Sequence, residues 1–286
     1  MTTYAVTGAT GHLGRLAVAE LLERGVAPAD VVAIARTPAR ATDLAERGVQ
    51  VREGDYDRPE TLPGALAGVQ RLLLVSGSEP GNRVAQHTAV IEAARAAGVE
   101  RIAYTSILNA DATSNPLAGE HQGTEKVLRE SGVPLSLLRN GWYTENYTDR
   151  LDEYLRRGEI VGAAAEGRIS AAPRADYAAA AVTALQGDDG DLVVHELGGE
   201  SFTLGELAAT VTAVTGTTVG YRDLTVEDLA TELRQAGLDE GTAAFVAALD
   251  GSIAAGDLVA PGDDLARLLG RAPTPLADVV RTAARG

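Results

Sequence analysis

Three glycines, Gly8, Gly11 and Gly14, stand where an apolar run from Thr3 to Thr7 gives way to an amphipathic stretch from Leu13 to Arg24. A loop that holds a pyrophosphate needs glycine at such places for three reasons: a tight turn, close approach of backbone to phosphate, and close packing of helix on strand. The amides at the helix N-terminus then face the phosphate oxygens. The loop Gly8-Ala9-Thr10-Gly11-His12-Leu13-Gly14 is therefore expected to bind a dinucleotide. A Gly-rich turn with no ligand is the competing reading, and the strand before and helix after disfavour it.

The residue closing the second apolar run, Val31 to Ala35, bears on which dinucleotide. An acidic side chain there would bind a ribose 2′-hydroxyl and repel a 2′-phosphate. This chain has Arg36, 22 residues after Gly14. A guanidinium matches phosphate in charge and fork geometry, so Arg36 favours NADPH over NADH unless it is only a solvated Arg opening the next helix. Asp55, in the turn Gly54-Asp55-Tyr56-Asp57, can either accept from the adenine amino group or cap its own turn. Ser76-Gly77-Ser78 follows the fourth apolar run, at the sheet edge where a dinucleotide crosses.

These residues need a frame. Short runs rich in Val, Ile and Leu recur at 3–7, 31–35, 49–52, 71–75, 101–105, 135–138 and 192–197, with amphipathic stretches such as 13–24, 83–97 and 120–131 between them. That alternation predicts an α/β fold, a Rossmann-type doubly wound parallel sheet buried on both faces. From about Asn140 the rhythm changes: 203–214, 225–236, 242–253 and 276–284 read as helices and strands become scarce. The expected division is an NADP-binding domain over 1–139, completed by about 174–197, and a smaller, mostly helical, substrate-covering lobe from 140–173 and 198–286.

Composition narrows the partners. A formal charge of -15 repels nucleic acid and anionic membrane surfaces. There is no cysteine, so thiolate chemistry, disulfides and Cys-ligated metals are excluded. His12, His87, His121 and His195 lack metal-ligand spacing, so no metal is expected. With no signal-like segment and no membrane-length apolar stretch, a cytoplasmic protein is expected.

The stretches 7–14, 32–36, 102–106, 120–126, 137–147 and 174–180 resemble the NmrA-like branch of atypical short-chain dehydrogenases, above all its bacterial quinone-reducing members. The resemblance runs along the whole chain and is loosest beyond about Val214. It implies an NADP site of Gly8, Ala9, Thr10, Gly11, His12, Leu13, Arg36 and Ser76 to Ser78. Asn140, Gly141, Trp142, Tyr143, Thr144 and Glu145 would stand at the nicotinamide end, with the single Trp also able to serve as a core residue between lobes. The implied activity is quinone reduction by NADPH without flavin, on a small-molecule acceptor; the reading allows a homodimer.

Conventional short-chain dehydrogenases use a Tyr-x-x-x-Lys pair as proton donor. Here the only lysine, Lys126, is preceded four positions earlier by Gln122, and none of the eight tyrosines fits. His121 and Glu125 occupy roughly that place, four apart on one helix, where Glu125 could raise the His121 pKa or the two could form a solvated pair. His121, Glu125, Trp142 and Tyr143 are thus the candidates for chemistry at the acceptor. A quinone accepts hydride without obligatory proton delivery, which suits a chain lacking the usual acid. A non-catalytic NADP(H)-binding redox sensor that docks a protein partner, and a reductase or epimerase acting on another small substrate, are the competing readings.

Overall fold

In the computed structural model, which describes residues 1–77, 79, 81–188 and 190–285, the apolar runs are strands and the amphipathic stretches cross over between them. The alternation runs β1 (Tyr4–Val6), α1 (His12–Glu23), β2 (Val31–Ala35), α2 (Thr42–Glu46), β3 (Gln50–Glu53), α3 (Leu62–Leu66), β4 (Arg71–Leu74), α4 (Arg83–Ala96), β5 (Arg101–Ile107), α5 (Ala118–Ser131) and β6 (Leu135–Asn140). It continues with β7 (Trp142–Tyr143), α6 (Glu145–Thr148), α7 (Leu151–Arg157), β8 (Glu159–Gly162), β9 (Ile169–Ala172), α8 (Arg174–Gln186) and β10 (Leu192–Leu197). The chain then forms β11 (Ser201–Phe202), α9 (Leu204–Thr215), β12 (Gly220–Asp223), α10 (Val226–Gln235), α11 (Glu240–Ala254), α12 (Asp264–Leu269) and α13 (Leu276–Ala283).

Among the described residues, seven strands form one parallel sheet in the order β3-β2-β1-β4-β5-β6-β10. The strand order reverses between β1 and β4, which opens a crevice at the carboxyl ends of the strands. Both faces are covered, and successive strand residues divide between them. Ala5, Val32, Ile34, Leu72 and Ile102 pack under Leu62, Val90, Ile91 and Leu128 of α3, α4 and α5. Val6, Val31, Ala33, Leu73 and Leu138 pack under Ala17 and Leu21 of α1 and Tyr177 and Ala181 of α8. Each fully buried Leu or Ile side chain contributes about 1.5–3 kcal/mol, and double coverage is why the runs are continuous rather than alternating.

The C-terminal region is helical as expected, with its own core of Leu151, Ile160, Leu204, Leu207, Val211 and Ile253. Thr203 and Glu206 close a capping box on α9, while Thr225 and Asp239 cap α10 and α11. Two features depart from the sequence reading. Small sheets, β11-β9-β7 and β12-β8, lie within this region, built from strands too short to show a period. Leu265 of α12 joins the core beneath α1 and α8, so this stretch returns to the main sheet. Among the described residues, no helix is long and apolar enough to cross a membrane.

Candidate active site

The turn from β1 into α1 is shaped by its glycines. Gly8 lies at φ +58°, a region that L side chains rarely adopt. A Cβ on Gly14 would stand 2.8 Å from the Gly8 carbonyl carbon, so α1 can sit this close to the strand only with glycine there. Gly11 has ordinary backbone angles and donates its N–H to the Gly8 carbonyl at 2.9 Å. Its requirement is therefore space in front of the helix, not conformational freedom. No side chain caps α1, so its first-turn amides are left to bind an anion. Ala9 turns inward: its side chain is fully buried and its N–H donates to the Ile34 carbonyl at 3.2 Å. It shapes the loop without facing the cleft.

From this turn a cleft of about 920 Å³ extends along the carboxyl ends of the strands. Gly8, Thr10, Gly11, His12 and Leu13 line its middle. Arg36 lines one end beside Arg15 and Arg40, two arginines the sequence reading did not single out. Arg15 is already tied to Asp43 and to the Arg40 carbonyl. Arg36 is 64% exposed and its Nη1 lies 3.0 Å from Glu79 Oε1. Asp55 also lines the cleft, yet its carboxylate accepts from the Asp57 N–H at 3.2 Å and from Arg58 Nε at 3.1 Å. Of its two readings, the turn cap is the one made by contacts. Ser76 and Gly77 border the cleft, and Ser78 lies outside the described residues.

The opposite end is formed where β5 and β6 finish, by Ile107, Leu117, His121, Asn140, Gly141, Trp142 and Tyr143. His121 is buried, with Nδ1 2.9 Å from the Tyr104 hydroxyl. Burial, assisted by the charge of Arg83, pushes its pKa down to about 3, so it is neutral at ordinary pH. Neither reading of the pair is seen: both residues are buried rather than solvated, and Glu125 is bonded elsewhere instead of to His121. Glu125 Oε1 accepts from the Ser106 hydroxyl at 2.6 Å and from Arg139 Nε at 2.9 Å, and its Oε2 accepts from Arg139 Nη2 at 2.7 Å. The face of α5 shared by the two residues lies over β5 and β6, where Arg139 offers a bidentate partner that His121 cannot match.

Residues 140–145 divide in the same way. Asn140 Oδ1 is buried with no hydrogen-bond partner among the described residues, in a residue that lines the cleft. Trp142 is half-buried, lining the cleft while packing against the core of the C-terminal region. Tyr143 meets Tyr177 edge-on at 5.5 Å and carries the Arg174 guanidinium 4.9 Å from its ring centre, and burial raises its pKa. Thr144 and Glu145 do not line the cleft. Thr144 is buried and donates its N–H to the Ala172 carbonyl at 3.0 Å. The Glu145 carboxylate accepts the Arg174 N–H at 2.9 and 3.1 Å, at the start of α8.

Residues 8–188 match the NAD(P)H-binding family. The chain belongs to that family. It is 45% identical to Quinone oxidoreductase 2 of Escherichia coli over 96% of both chains. The NADPH complex of the Escherichia coli NADPH-dependent quinone oxidoreductase superposes with a TM-score of 0.93, at 44% identity, over 98% of this chain and 99% of that one. An NmrA-like family domain-containing oxidoreductase of Aspergillus flavus is 31% identical over 97% of this chain and 94% of its own. The triphenylmethane reductase of Citrobacter sp., solved with NADP(H), has a TM-score of 0.93 at 37% identity, covering 98% of this chain and all of that one.

A family cofactor has three matching features here: the uncapped start of α1 for a pyrophosphate, arginines at one end for a 2′-phosphate, and the unpaired Asn140 Oδ1 at the other for an amide donor. The cleft also contains residues to which the sequence assigned no role, among them Arg83, Thr105, Leu117, Asn146 and Arg174. Thr105 was within reach of sequence reasoning, since it stands near the carboxyl end of a central strand, where α/β sheets bind ligands. Arg83 and Arg174 open helices α4 and α8, and nothing in their spacing separates them from solvated arginines.

Proposed function

We propose that the chain is a quinone reductase that takes hydride from NADPH and passes it directly to the quinone, with neither flavin nor metal. One observation carries this reading beyond family likeness. Among the described residues at the acceptor end, neither candidate donor is suited to give up a proton near neutral pH: burial holds His121 neutral, with a pKa of about 3, and makes the Tyr143 phenol a weaker acid than usual. Lys126 is exposed, lies 3.9 Å from Glu130, and does not line the cleft. A substrate reduced here must accept hydride without waiting for a proton, which quinones do. The residual hydroquinone anion takes its proton from water.

Bound NADPH supplies the hydride. The protein supplies placement: the α1 turn holds the phosphates, Arg36 and its neighbours read the 2′-phosphate, and Asn140 to Tyr143 set the nicotinamide against the acceptor. Proximity and exclusion of water then provide most of the rate. Because triphenylmethane dye cations also take up hydride with no accompanying proton, the name of the Citrobacter relative fits the same acid-free chemistry. A cytoplasmic location suits a water-soluble cofactor and a formal charge of -15.

The test is NADPH consumption by the purified protein with a simple benzoquinone and no added flavin. Steady turnover is expected. NADPH binding without turnover would overturn the proposal in favour of a redox sensor, and turnover that depends on added flavin would overturn the direct transfer.

A further inference from the structure

The segment that follows β4 leaves the sheet, yet the amides of Val75, Ser76 and Gly77 are each taken up by a side chain. Val75 N–H donates to Thr7 Oγ1 at 2.9 Å, Ser76 N–H to Thr105 Oγ1 at 2.8 Å, and Gly77 N–H to His87 Nε2 at 3.0 Å. The Gly77 carbonyl accepts from Arg83 Nε at 2.8 Å. Arg83 and His87 are four residues apart on α4 and so share a face. Both are buried, His87 completely. Gly77 is thus gripped at its N–H and at its carbonyl by one helix, and it borders the cleft.

His87 is not among the cleft residues, and the chemistry above does not use it. Its state is nevertheless fixed. A backbone N–H can only donate, so Nε2 must carry the lone pair and Nδ1 the proton. Nδ1 lies 3.1 Å from Thr124 Oγ1, whose own hydrogen is donated to the Glu120 carbonyl at 3.0 Å, leaving the Thr124 oxygen free to accept. Tyr56 and Tyr104 meet the ring edge-on at 6.0 and 5.5 Å and hold its plane. A histidine present only to fill core volume would need neither the defined tautomer nor a loop amide as partner.

We infer that His87, together with Arg83, is a positioning residue that presets the Ser76–Gly77 wall of the cofactor cleft. The inference rests on the NADPH reading and names the side chains that preorganise it. Without His87 the wall would have to be ordered when cofactor binds, and that ordering would be subtracted from affinity.

The test compares wild type, His87→Leu and His87→Gln, the last retaining an acceptor oxygen. NADPH affinity is read by fluorescence titration, turnover at saturating NADPH with benzoquinone, and the Gly77 amide by hydrogen exchange. His87→Leu should weaken NADPH binding about tenfold, the scale of one lost buried hydrogen bond. It should accelerate Gly77 exchange while changing saturated turnover far less than affinity. His87→Gln should recover most of the affinity and protection. Unchanged affinity and exchange in His87→Leu would overturn the inference, as would equal losses in both variants, which would mark His87 as packing alone.

If His87→Leu fails to fold, Thr124→Val replaces it. Removing the Nδ1 partner should loosen the Gly77 amide in the same direction, and an unchanged amide would refute the clamp. If wild type binds no NADPH, the cofactor reading fails, while Gly77 exchange still decides the role of His87.

Discussion

Arg36→Ala removes the guanidinium that reads the 2′-phosphate in the function proposed above. A charge-assisted hydrogen bond of that kind is worth roughly 1.5–3 kcal/mol. Two features of the structure lower the expected loss. The side chain is 64% exposed, so water and salt screen its charge. It also stands 3.0 Å from Glu79 Oε1, and that pairing must be surrendered when phosphate arrives. An exposed pair contributes about 0–1 kcal/mol, which leaves a net loss of about 1–2 kcal/mol. NADPH binding should therefore weaken roughly 5- to 30-fold. NADH, which offers no 2′-phosphate, should bind almost as before. Parallel fluorescence titrations with the two cofactors measure this, and repeating them at higher ionic strength should shrink the gap. Equal losses for both cofactors would refute the reasoning and make Arg36 structural. No loss for NADPH would move the phosphate contact to Arg40.

Gly11→Val should abolish NADPH binding by placing a branched side chain where the pyrophosphate approaches, and unaltered fluorescence enhancement in a folded variant would sink the loop assignment. His121→Ala should lower turnover by less than the roughly 10²-fold expected of a true general acid, whereas Asn140→Ala should hurt more through misplacement of the nicotinamide; steady-state kinetics would reverse the order if His121 delivers a proton. Glu125→Gln should cost about 2–4 kcal/mol in denaturant unfolding, since Arg139 keeps Glu196 at 3.0 Å, and a collapse of turnover with stability intact would instead make Glu125 catalytic. His87 and His121 are both pushed down to about 3 by burial, against roughly 6.5 in the unfolded chain. Between those values the unfolded chain binds protons that the folded chain refuses, so stability is full above about pH 6.5 and falls below it, by about 2 kcal/mol per histidine at pH 5. Unfolding at pH 7.5 and pH 5 tests this, and equal stability at both would show that neither histidine is held neutral.

Much of this was legible in the sequence because double burial writes itself into the chain. β1, β2, β4, β5 and β6 are covered on both faces, and apolar residues dominate their middles, so their runs stand out. β7 and β11, two residues each, are too short to carry any period. In the site, the glycines of the α1 turn could be recognised because steric demand admits no other residue at Gly8 and Gly14. Arg15 and Arg40 could not, since an arginine beside a cleft and an arginine in water look alike in sequence. Ala9 came with the glycine loop read as a whole, and Thr144 and Glu145 with a segment transferred by resemblance; both routes carry stretches of chain rather than side-chain directions. Helical spacing likewise put His121 and Glu125 on one face without showing what that face would meet.

What it meets bears on why Glu125 does not serve as the partner of His121. Glu125 joins α5 to Ser106 of β5 and Arg139 of β6, and Arg139 reaches on to Glu196 of β10 and Asp111. Buried ion pairs add little net stability, because desolvation offsets the attraction, but their geometry is strict. This one fixes the rotation of α5 over the strand ends. It thereby fixes His121 one turn earlier on the same helix, and Asn140, the residue next to Arg139. The helix face searched for a proton donor thus uses Glu125 to hold the wall of the cleft in place. In the function proposed above, an enzyme built this way gains rate from placement, so its acceptors should be limited by shape and hydride affinity rather than by the need for a protonated partner.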